Sequence, residues 1–213
     1  MGRGPERHQE SGAVETMVAS LITARERTGL STYDIFDRFL TVSEAALTGV
    51  RGPEWRQLSA GLEKALPELQ RALGTLLYEA MGGYHDVLGP CYSALGRCDS
   101  RFGQFFTPWS AARLLAQVVI GDCVRLARKQ QIRIFDPACG SGVMLLAIAD
   151  ALPQSLLRRR RVIFAGVDID PLCVKMTRLN LRLHHLMACT LLVKLPHELT
   201  AHERRVLATS ISI

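Results

Sequence analysis

The sequence predicts an α/β protein in which a helical region precedes a small parallel sheet. Apolar residues recur at helical spacing between about residues 13 and 98. Beyond residue 130, short β-branched runs alternate with helical stretches, which is typical of right-handed βαβ units. Hydrophobic residues make up 48% of the 213 residues, so the chain can bury a sizeable core and wholesale disorder is excluded.

The N-terminal part is predicted to be helical after a disordered start. Residues 1–12 are polar and we expect them to be disordered, with residues 13–98 forming the helical region. Ser31 is a start signal for one helix, and the Gly49–Pro53 segment is a stop signal. Pro67 is predicted to open a further helix within a long leucine stripe.

Residues 99–213 are predicted to form the α/β part. Thr107 is expected to cap a helix that has Pro108 at its first position. The apolar face predicted for this helix consists of Leu114, Leu115, Val118 and Val119. A first strand is predicted from Gln131 to Phe135, and an apolar helix from Met144 to Leu152.

Two further strands are expected in the same part. The second strand is predicted at Val162–Val167, followed by a helix that Asp170 caps, and the third at Leu191–Leu195. The Thr200–Glu203 segment matches a capping box before a last short helix. We therefore expect at most three strands before Ile213.

A glycine-rich turn lies between the first predicted strand and the next helix. Its sequence is Asp136-Pro-Ala-Cys-Gly-Ser-Gly142. Glycines let the backbone approach a ligand closely, and a helix N-terminus offers free N–H groups, as a nucleotide-like ligand requires. Turns without a ligand use the same G-x-G pattern, so the turn alone is weak support for a site.

The second predicted strand is followed by an acidic residue, Asp168. A carboxylate at the tip of the second strand can bind both hydroxyls of a ribose. The alternative is a loop carboxylate without a ligand. Asp170, which precedes Pro171, is interpreted as a helix cap rather than as a ligand contact.

Three segments together resemble the cofactor motifs of N6-adenine-specific DNA methyltransferases. They are Gly103-Gln-Phe-Phe-Thr-Pro108, the 136–142 turn and Gly166-Val-Asp-Ile-Asp170, in the family's order and spacing. The chain most resembles the methylase (M) subunit of type I restriction-modification systems and related phage or mobile-element methylases, over about residues 85–190. The resemblance implies a Rossmann-like S-adenosylmethionine-dependent methyltransferase fold with an incomplete parallel sheet, in a partial domain at 99–213.

The resemblance also implies a binding site for S-adenosyl-L-methionine. A carboxylate would suit the cofactor's ammonium, helix N–H groups its carboxylate, and an aromatic face its sulfonium. The implied cofactor-binding residues are Gln104, Phe105, Phe106, Thr107, Pro108, Asp136, Ala138, Gly140, Ser141, Gly142 and Asp168. Core packing is the alternative role for Phe105 and Phe106, and helix capping for Thr107.

The family's catalytic tetrapeptide is missing from the sequence. In the family, Asn or Asp, two prolines, and Tyr or Phe follow the fourth strand, and no such tetrapeptide occurs in the 213 residues. The implied reaction is methyl transfer from S-adenosylmethionine to adenine N6 in DNA, in a restriction-modification or mobile-element context. We predict no catalytic residue, and expect this chain alone to bind cofactor but to be catalytically incomplete.

Two alternatives to this function stay open at the level of the sequence. The first is a non-catalytic cofactor-binding or DNA-associated accessory protein, which the missing tetrapeptide favours. The second is a methyltransferase acting on RNA, protein or a small molecule, which the fold alone permits. The Gly103–Pro108 segment disfavours the second, because it is characteristic of the adenine-methylating group.

Charge and cysteine content set the expected partners and compartment. The net charge of +6 fits DNA without establishing it, and Arg158–Arg161 is interpreted as a solvated loop rather than a phosphate contact. The six cysteines form no C-x-x-C pair, so no metal is expected. Without a secretory signal or an apolar span we expect a cytoplasmic protein and no membrane partner. The family resemblance, rather than the composition, implies DNA as a partner, together with a specificity subunit or a complementary methylase fragment.

Overall fold

The computed structural model describes residues 6–96, 106–127, 131–186, 190–208 and 210–212. The chain divides into two compact units. One comprises Met1–Gly82 with Val87–Phe105, and the other Gly83–Asp86 with Phe106–Ile213. The second unit therefore includes a short segment from within the 13–98 region, in addition to the part predicted to be α/β.

The first unit is helical, and its first helix begins earlier than predicted. Its helices are α1 (Glu6–Thr28), α2 (Thr32–Thr48), α3 (Gly52–Ser59), α4 (Leu66–Met81) and α5 (Leu88–Ala94). Because α1 begins at Glu6, the 1–12 segment expected to be disordered is helical from that residue onward. The Glu, Arg and Gln residues of this segment are good helix formers, which offset its polarity.

The capping signals read from the sequence set the helix ends in this unit. Ser31 Oγ accepts the N–H of Asp34 at 3.0 Å, and α2 ends at Gly49, whose left-handed φ is 77°. Pro67 lies in the first turn of α4, as predicted. Helix α1 packs against α2, α4 and α5 around a core that includes Met17 and Phe36.

The second unit confirms the predicted Rossmann-like α/β class with a small parallel sheet. Its elements are α6 (Trp109–Ala127), β1 (Ile132–Asp136), α7 (Val143–Ala151), α8 (Gln154–Arg158), β2 (Val162–Val167), α9 (Pro171–Leu183), β3 (Thr190–Lys194), α10 (Ala201–Ala208) and β4 (Ile211–Ser212). The capping box before α10 is present, because Thr200 and Glu203 exchange hydrogen bonds of 2.8 Å and 3.2 Å. No helix in the described ranges is long and apolar enough to cross a bilayer.

The sheet contains a fourth strand that the sequence analysis did not expect. Its order is β3-β2-β1-β4, and every pair is parallel. The expectation of at most three strands is therefore wrong, because β4 is only two residues long and carries no strand periodicity. From β1 the chain adds β2 and β3 on one side and then places β4 on the other. Parallel sheets bind ligands at such a switch point, outside the carboxyl ends of the strands.

Of the face predicted for helix α6 only Val119 packs against the core, where it is half-buried. Leu114, Leu115 and Val118 are 64%, 49% and 77% exposed, whereas Ala112 and Ala116 are fully buried. The helix packs along α7, and small alanine side chains let the two backbones approach closely. The helix also begins one residue later than predicted, because the carbonyl of Pro108 accepts the N–H of Ala112 at 3.0 Å.

The basic segment Arg158–Arg161 is exposed and consists of the last residue of α8 and the turn that leads into β2. It precedes β2 and so lies at the amino ends of the strands, whereas the turn at Asp136 follows the carboxyl end of β1. This placement agrees with a solvated loop on the opposite edge of the sheet from the 136–142 turn.

Candidate functional site

The turn between β1 and α7 is built on two left-handed glycines. Gly140 has a φ of 52° and Gly142 a φ of 88°. Residues with a side chain adopt this left-handed conformation only with backbone strain. A Cβ atom at Gly142 would lie 3.2 Å from the side chain of Thr177 on α9. The predicted need for glycine in this turn therefore has both a conformational and a steric cause.

Asp168 fastens the turn to the tip of β2. Its Oδ2 accepts the N–H of Gly140 at 2.9 Å, and its Oδ1 accepts the N–H of Asp170 at 2.9 Å. The N–H of Cys139 donates to the carbonyl of Val167 at 2.9 Å. A carboxylate offers about four acceptor positions, so each Asp168 oxygen retains capacity for a ligand hydroxyl.

Phe106, which precedes β1 in the sequence, also contacts this turn. A Cβ atom at Gly140 would lie 3.6 Å from Cδ1 and Cε1 of the Phe106 ring. Gly140 is thus a neighbour of both Phe106 and Asp168. Thr107 and Pro108 lead from Phe106 into α6, whereas Gln104 and Phe105 lie outside the described residues.

The Asp136 carboxyl is buried beneath the turn, with 6% of the residue exposed. Burial raises its pKa to about 6, and the negative charge of Asp168 also raises it. The hydrogen bond that Oδ1 accepts from the Ala138 N–H at 3.0 Å opposes this shift. The group is therefore close to half-protonated near pH 6, and a nearby cation would favour its ionised form.

Two features of the site were not predicted from the sequence. Ile169, between the two aspartates, is 76% exposed and offers an apolar surface beside Asp168. An apolar residue flanked by carboxylates at a strand end is a signal that could have found it. The second feature is Asp86, which accepts a hydrogen bond from the hydroxyl of the fully buried Ser141. No local pattern marks Asp86, which lies far upstream in the sequence.

Asp170 confirms its interpretation as a helix cap. Its Oδ1 accepts the N–H of Leu172 at 2.8 Å, and Pro171 occupies the first turn of α9.

Comparisons with known proteins identify relatives of the chain. Residues 85–204 match the family model of the N-6 DNA methylases. The chain is 32% identical over 145 residues to the type II methyltransferase M.MamI of Microbacterium ammoniaphilum, covering 62% of this chain and 39% of that protein. It is 32% identical over 85 residues to the methylase subunit of the type I restriction enzyme MpnII of Mycoplasma pneumoniae, covering 39% of this chain and 14% of that protein.

Among solved structures, one similar chain is the methyltransferase subunit of a type I restriction-modification system from Streptococcus thermophilus. The alignment has a TM-score of 0.40 and 19% identity, and covers 84% of this chain and 38% of that one. The chain spans well under half the length of the two curated relatives described above.

Proposed function

The chain belongs to the N-6 DNA methylase family, and on this premise we propose that it binds S-adenosyl-L-methionine for the methylation of adenine in DNA. The observation that carries the proposal is the position of Gly140. Its N–H is bound by Asp168 and its Cα faces the ring of Phe106. This arrangement lies at the carboxyl end of β1, where the strand order switches.

The proposed roles follow from the chemistry of each group. Asp168 accepts hydrogen bonds from the ribose hydroxyls, and Ile169 contacts the flat base beside them. Asp136 attracts the ammonium of the methionine end, and the Phe106 face favours the sulfonium. The remaining proposed residues provide the turn backbone and the segment that covers it; these are Gln104, Phe105, Thr107, Pro108, Ala138, Gly140, Ser141 and Gly142.

The residues present fit this cofactor. When bound, S-adenosylmethionine supplies a methyl group on a positively charged sulfur. The missing Cβ at Gly140 lets the Phe106 ring lie against the turn backbone, and the missing Cβ at Gly142 lets the turn pack closely on Thr177. The N-terminus of α7 follows directly and favours a carboxylate.

The role proposed for this chain alone is cofactor binding. Transfer to adenine also requires acceptors for the exocyclic amino group and an aromatic face for the extruded base. The tetrapeptide that provides them in the family does not occur in the 213 residues.

Labelled cofactor tests the proposal directly. The purified chain is incubated with S-adenosylmethionine carrying a tritiated methyl group, with and without duplex DNA, and bound label and N6-methyladenine are both counted. We expect label bound to protein and none in DNA. Label in DNA would contradict the expected catalytic incompleteness, and absence of binding would contradict the proposed site.

We propose DNA as a partner, together with a specificity subunit or a complementary methylase fragment, and the cytoplasm as the compartment. The support is that one relative is named a methylase subunit of a type I restriction enzyme. Label transfer to DNA that appears only when such a partner is added back would support the first part of this proposal.

The affinity for the cofactor is expected to fall below pH 6. Binding of the ammonium favours ionised Asp136, whose pKa is raised to about 6, so binding at lower pH must first release a proton. For a pKa of about 6 the expected loss is about fivefold between pH 6 and pH 5. The cofactor's own amino and carboxyl groups keep their charges in this window.

Calorimetric titrations at pH 5, 6 and 7 measure this effect, with Asp136→Asn as the control. The variant should bind more weakly at pH 7 and show no slope. Burial raises the pKa of Cys139 to about 12 and lowers the pKa of His184 to about 4. Neither group therefore accounts for a change in affinity between pH 5 and pH 7. A wild-type affinity that is equal at pH 5 and pH 7 would contradict the role of Asp136.

A further inference from the structure

We propose that Asp86 and Asn180 are positioning residues that hold Ser141 so that its backbone N–H faces the bound cofactor. This inference rests on the proposed function, and it assigns a role to two residues outside the sequence motifs. Neither is expected to touch the cofactor. Both act through the turn between β1 and α7.

A buried hydrogen-bond network connects the two residues to the turn. Asn180 Nδ2 donates to Asp86 Oδ1 at 2.9 Å and to the carbonyl of Ser141 at 2.8 Å. The Ser141 hydroxyl donates to Asp86 Oδ2. Both hydrogens of the Asn180 amide and both oxygens of the Asp86 carboxylate are thereby used.

The same face of α9 holds the preceding carbonyl of the turn. Thr177 Oγ1 donates to the carbonyl of Gly140 at 2.8 Å, and Thr177 lies one helical turn before Asn180. The peptide groups on both sides of Ser141 are therefore fixed with their carbonyls toward α9. In a trans peptide the N–H points opposite to the carbonyl of the preceding residue. The N–H of Ser141 consequently faces away from α9.

The turn itself provides no acceptor for this N–H. Within the described part of the chain it has no hydrogen-bond partner, whereas the adjacent amides of Gly140 and Gly142 donate to Asp168 and to the carbonyl of Cys139. An unbonded amide at a left-handed glycine turn, next to a helix N-terminus, is suited to an acceptor atom of the ligand.

Burial makes the orientation rigid before any ligand arrives. Ser141, Asn180 and Asp86 are 0%, 2% and 7% exposed, so water does not compete for their hydrogen bonds. Removing one member leaves buried polar groups without a partner, and the turn must then relax. A preoriented amide loses less entropy on binding, which raises the affinity.

The segment that carries Asp86 is itself fastened to α9. The ring of Tyr84 lies 5.3 Å from that of His184, and His184 Nε2 lies 3.2 Å from the carbonyl of His85. His184 is the C-cap of α9. The carboxylate of Asp86 is thus placed by contacts to the same helix that presents Thr177 and Asn180.

The test is a double-mutant cycle on cofactor affinity with Asp86→Asn and Ser141→Ala. Each single variant is expected to raise the Kd for S-adenosylmethionine about tenfold, the effect of one hydrogen bond to a charged group. The double variant is expected to lose little more than either single one, because both changes break the same network. Calorimetry gives the Kd, and thermal unfolding gives the stability of each variant.

An amide signal separates positioning from a merely structural role. In ¹⁵N-labelled protein the Ser141 amide resonance is expected to shift on cofactor addition, and the shift should shrink in Asp86→Asn. Thr200→Ala, which removes the cap of α10, is the matched control that lowers the melting temperature without altering Kd or this shift. If Asp86→Asn does not fold, Ser141→Ala alone tests the proposal, and the same rise in Kd is expected. This variant keeps the backbone N–H of residue 141 and removes only the hydroxyl that binds Asp86.

Failure of the proposed function and failure of the positioning role give different results. A wild-type chain that does not bind S-adenosylmethionine contradicts the proposed function. A wild-type chain that binds, with both variants retaining its Kd while their melting temperatures fall, overturns the positioning role alone. Independent, additive losses in the double variant would also overturn it.

Discussion

Replacing Asp168 with Ala is expected to raise the Kd for S-adenosylmethionine by at least about a hundredfold. Two ligand hydroxyls lose a charged acceptor, and each such hydrogen bond contributes about 1.5–3 kcal/mol, or roughly tenfold or more in Kd. The N–H of Gly140 also loses its partner, so the turn is no longer fastened to β2. Isothermal titration calorimetry of the variant and the wild type measures the loss.

Asp170→Ala is the matched control for this variant. Asp170 is a carboxylate two residues away whose Oδ1 caps α9. Its loss should cost about 1 kcal/mol of the free energy of unfolding, as helix caps do, and change the Kd by less than about threefold. Equal losses of affinity in the two variants would attribute the effect to local structure and contradict the ribose-binding role of Asp168.

The second large effect is expected from Gly142→Ala. The left-handed φ of 88° costs a side chain about 1–2 kcal/mol, and contact with Thr177 at 3.2 Å adds about 1–3 kcal/mol of crowding. The free energy of unfolding should therefore fall by about 2–5 kcal/mol. Cofactor binding should be lost, because the turn shifts away from α9. Chemical denaturation and calorimetry measure the two effects.

Gly49→Ala separates conformation from crowding. Gly49 has a similar φ of 77° at the end of α2, and nothing lies within 4 Å of its Cβ position. It should lose only about 1–2 kcal/mol and retain the wild-type Kd. The account is contradicted if Gly142→Ala destabilises no more than Gly49→Ala, or if it binds cofactor normally.

Local signals allowed much of the fold and part of the site to be predicted. β1 and β2 were found from β-branched runs, and α2, α9 and α10 from their caps at Ser31, Asp170 and Thr200. The glycine turn and Asp168 were singled out because a ligand-binding backbone would need particular residue types at particular strand ends, and their role as ligand contacts stays a prediction. Each of these patterns lies within a few consecutive residues, so it can be recognised without knowledge of distant contacts.

The wrong or missing predictions concern features that depend on contacts between residues distant in the sequence. The face of α6 was assigned to large apolar residues such as Leu114, but close packing on α7 selects Ala112 and Ala116 instead. β4 is too short to show periodicity and exists through its pairing with β1. Asp86 reaches Ser141 across 55 residues of sequence, and no local pattern encodes that contact.

Titration of the wild-type chain with S-adenosylmethionine in a calorimeter tests the central claim most directly. The account predicts heat that saturates at one cofactor per chain, and a melting temperature that rises with cofactor concentration, as binding to the folded state requires. A chain that releases no heat and melts at the same temperature with and without cofactor would contradict the site built from Phe106, Gly140 and Asp168.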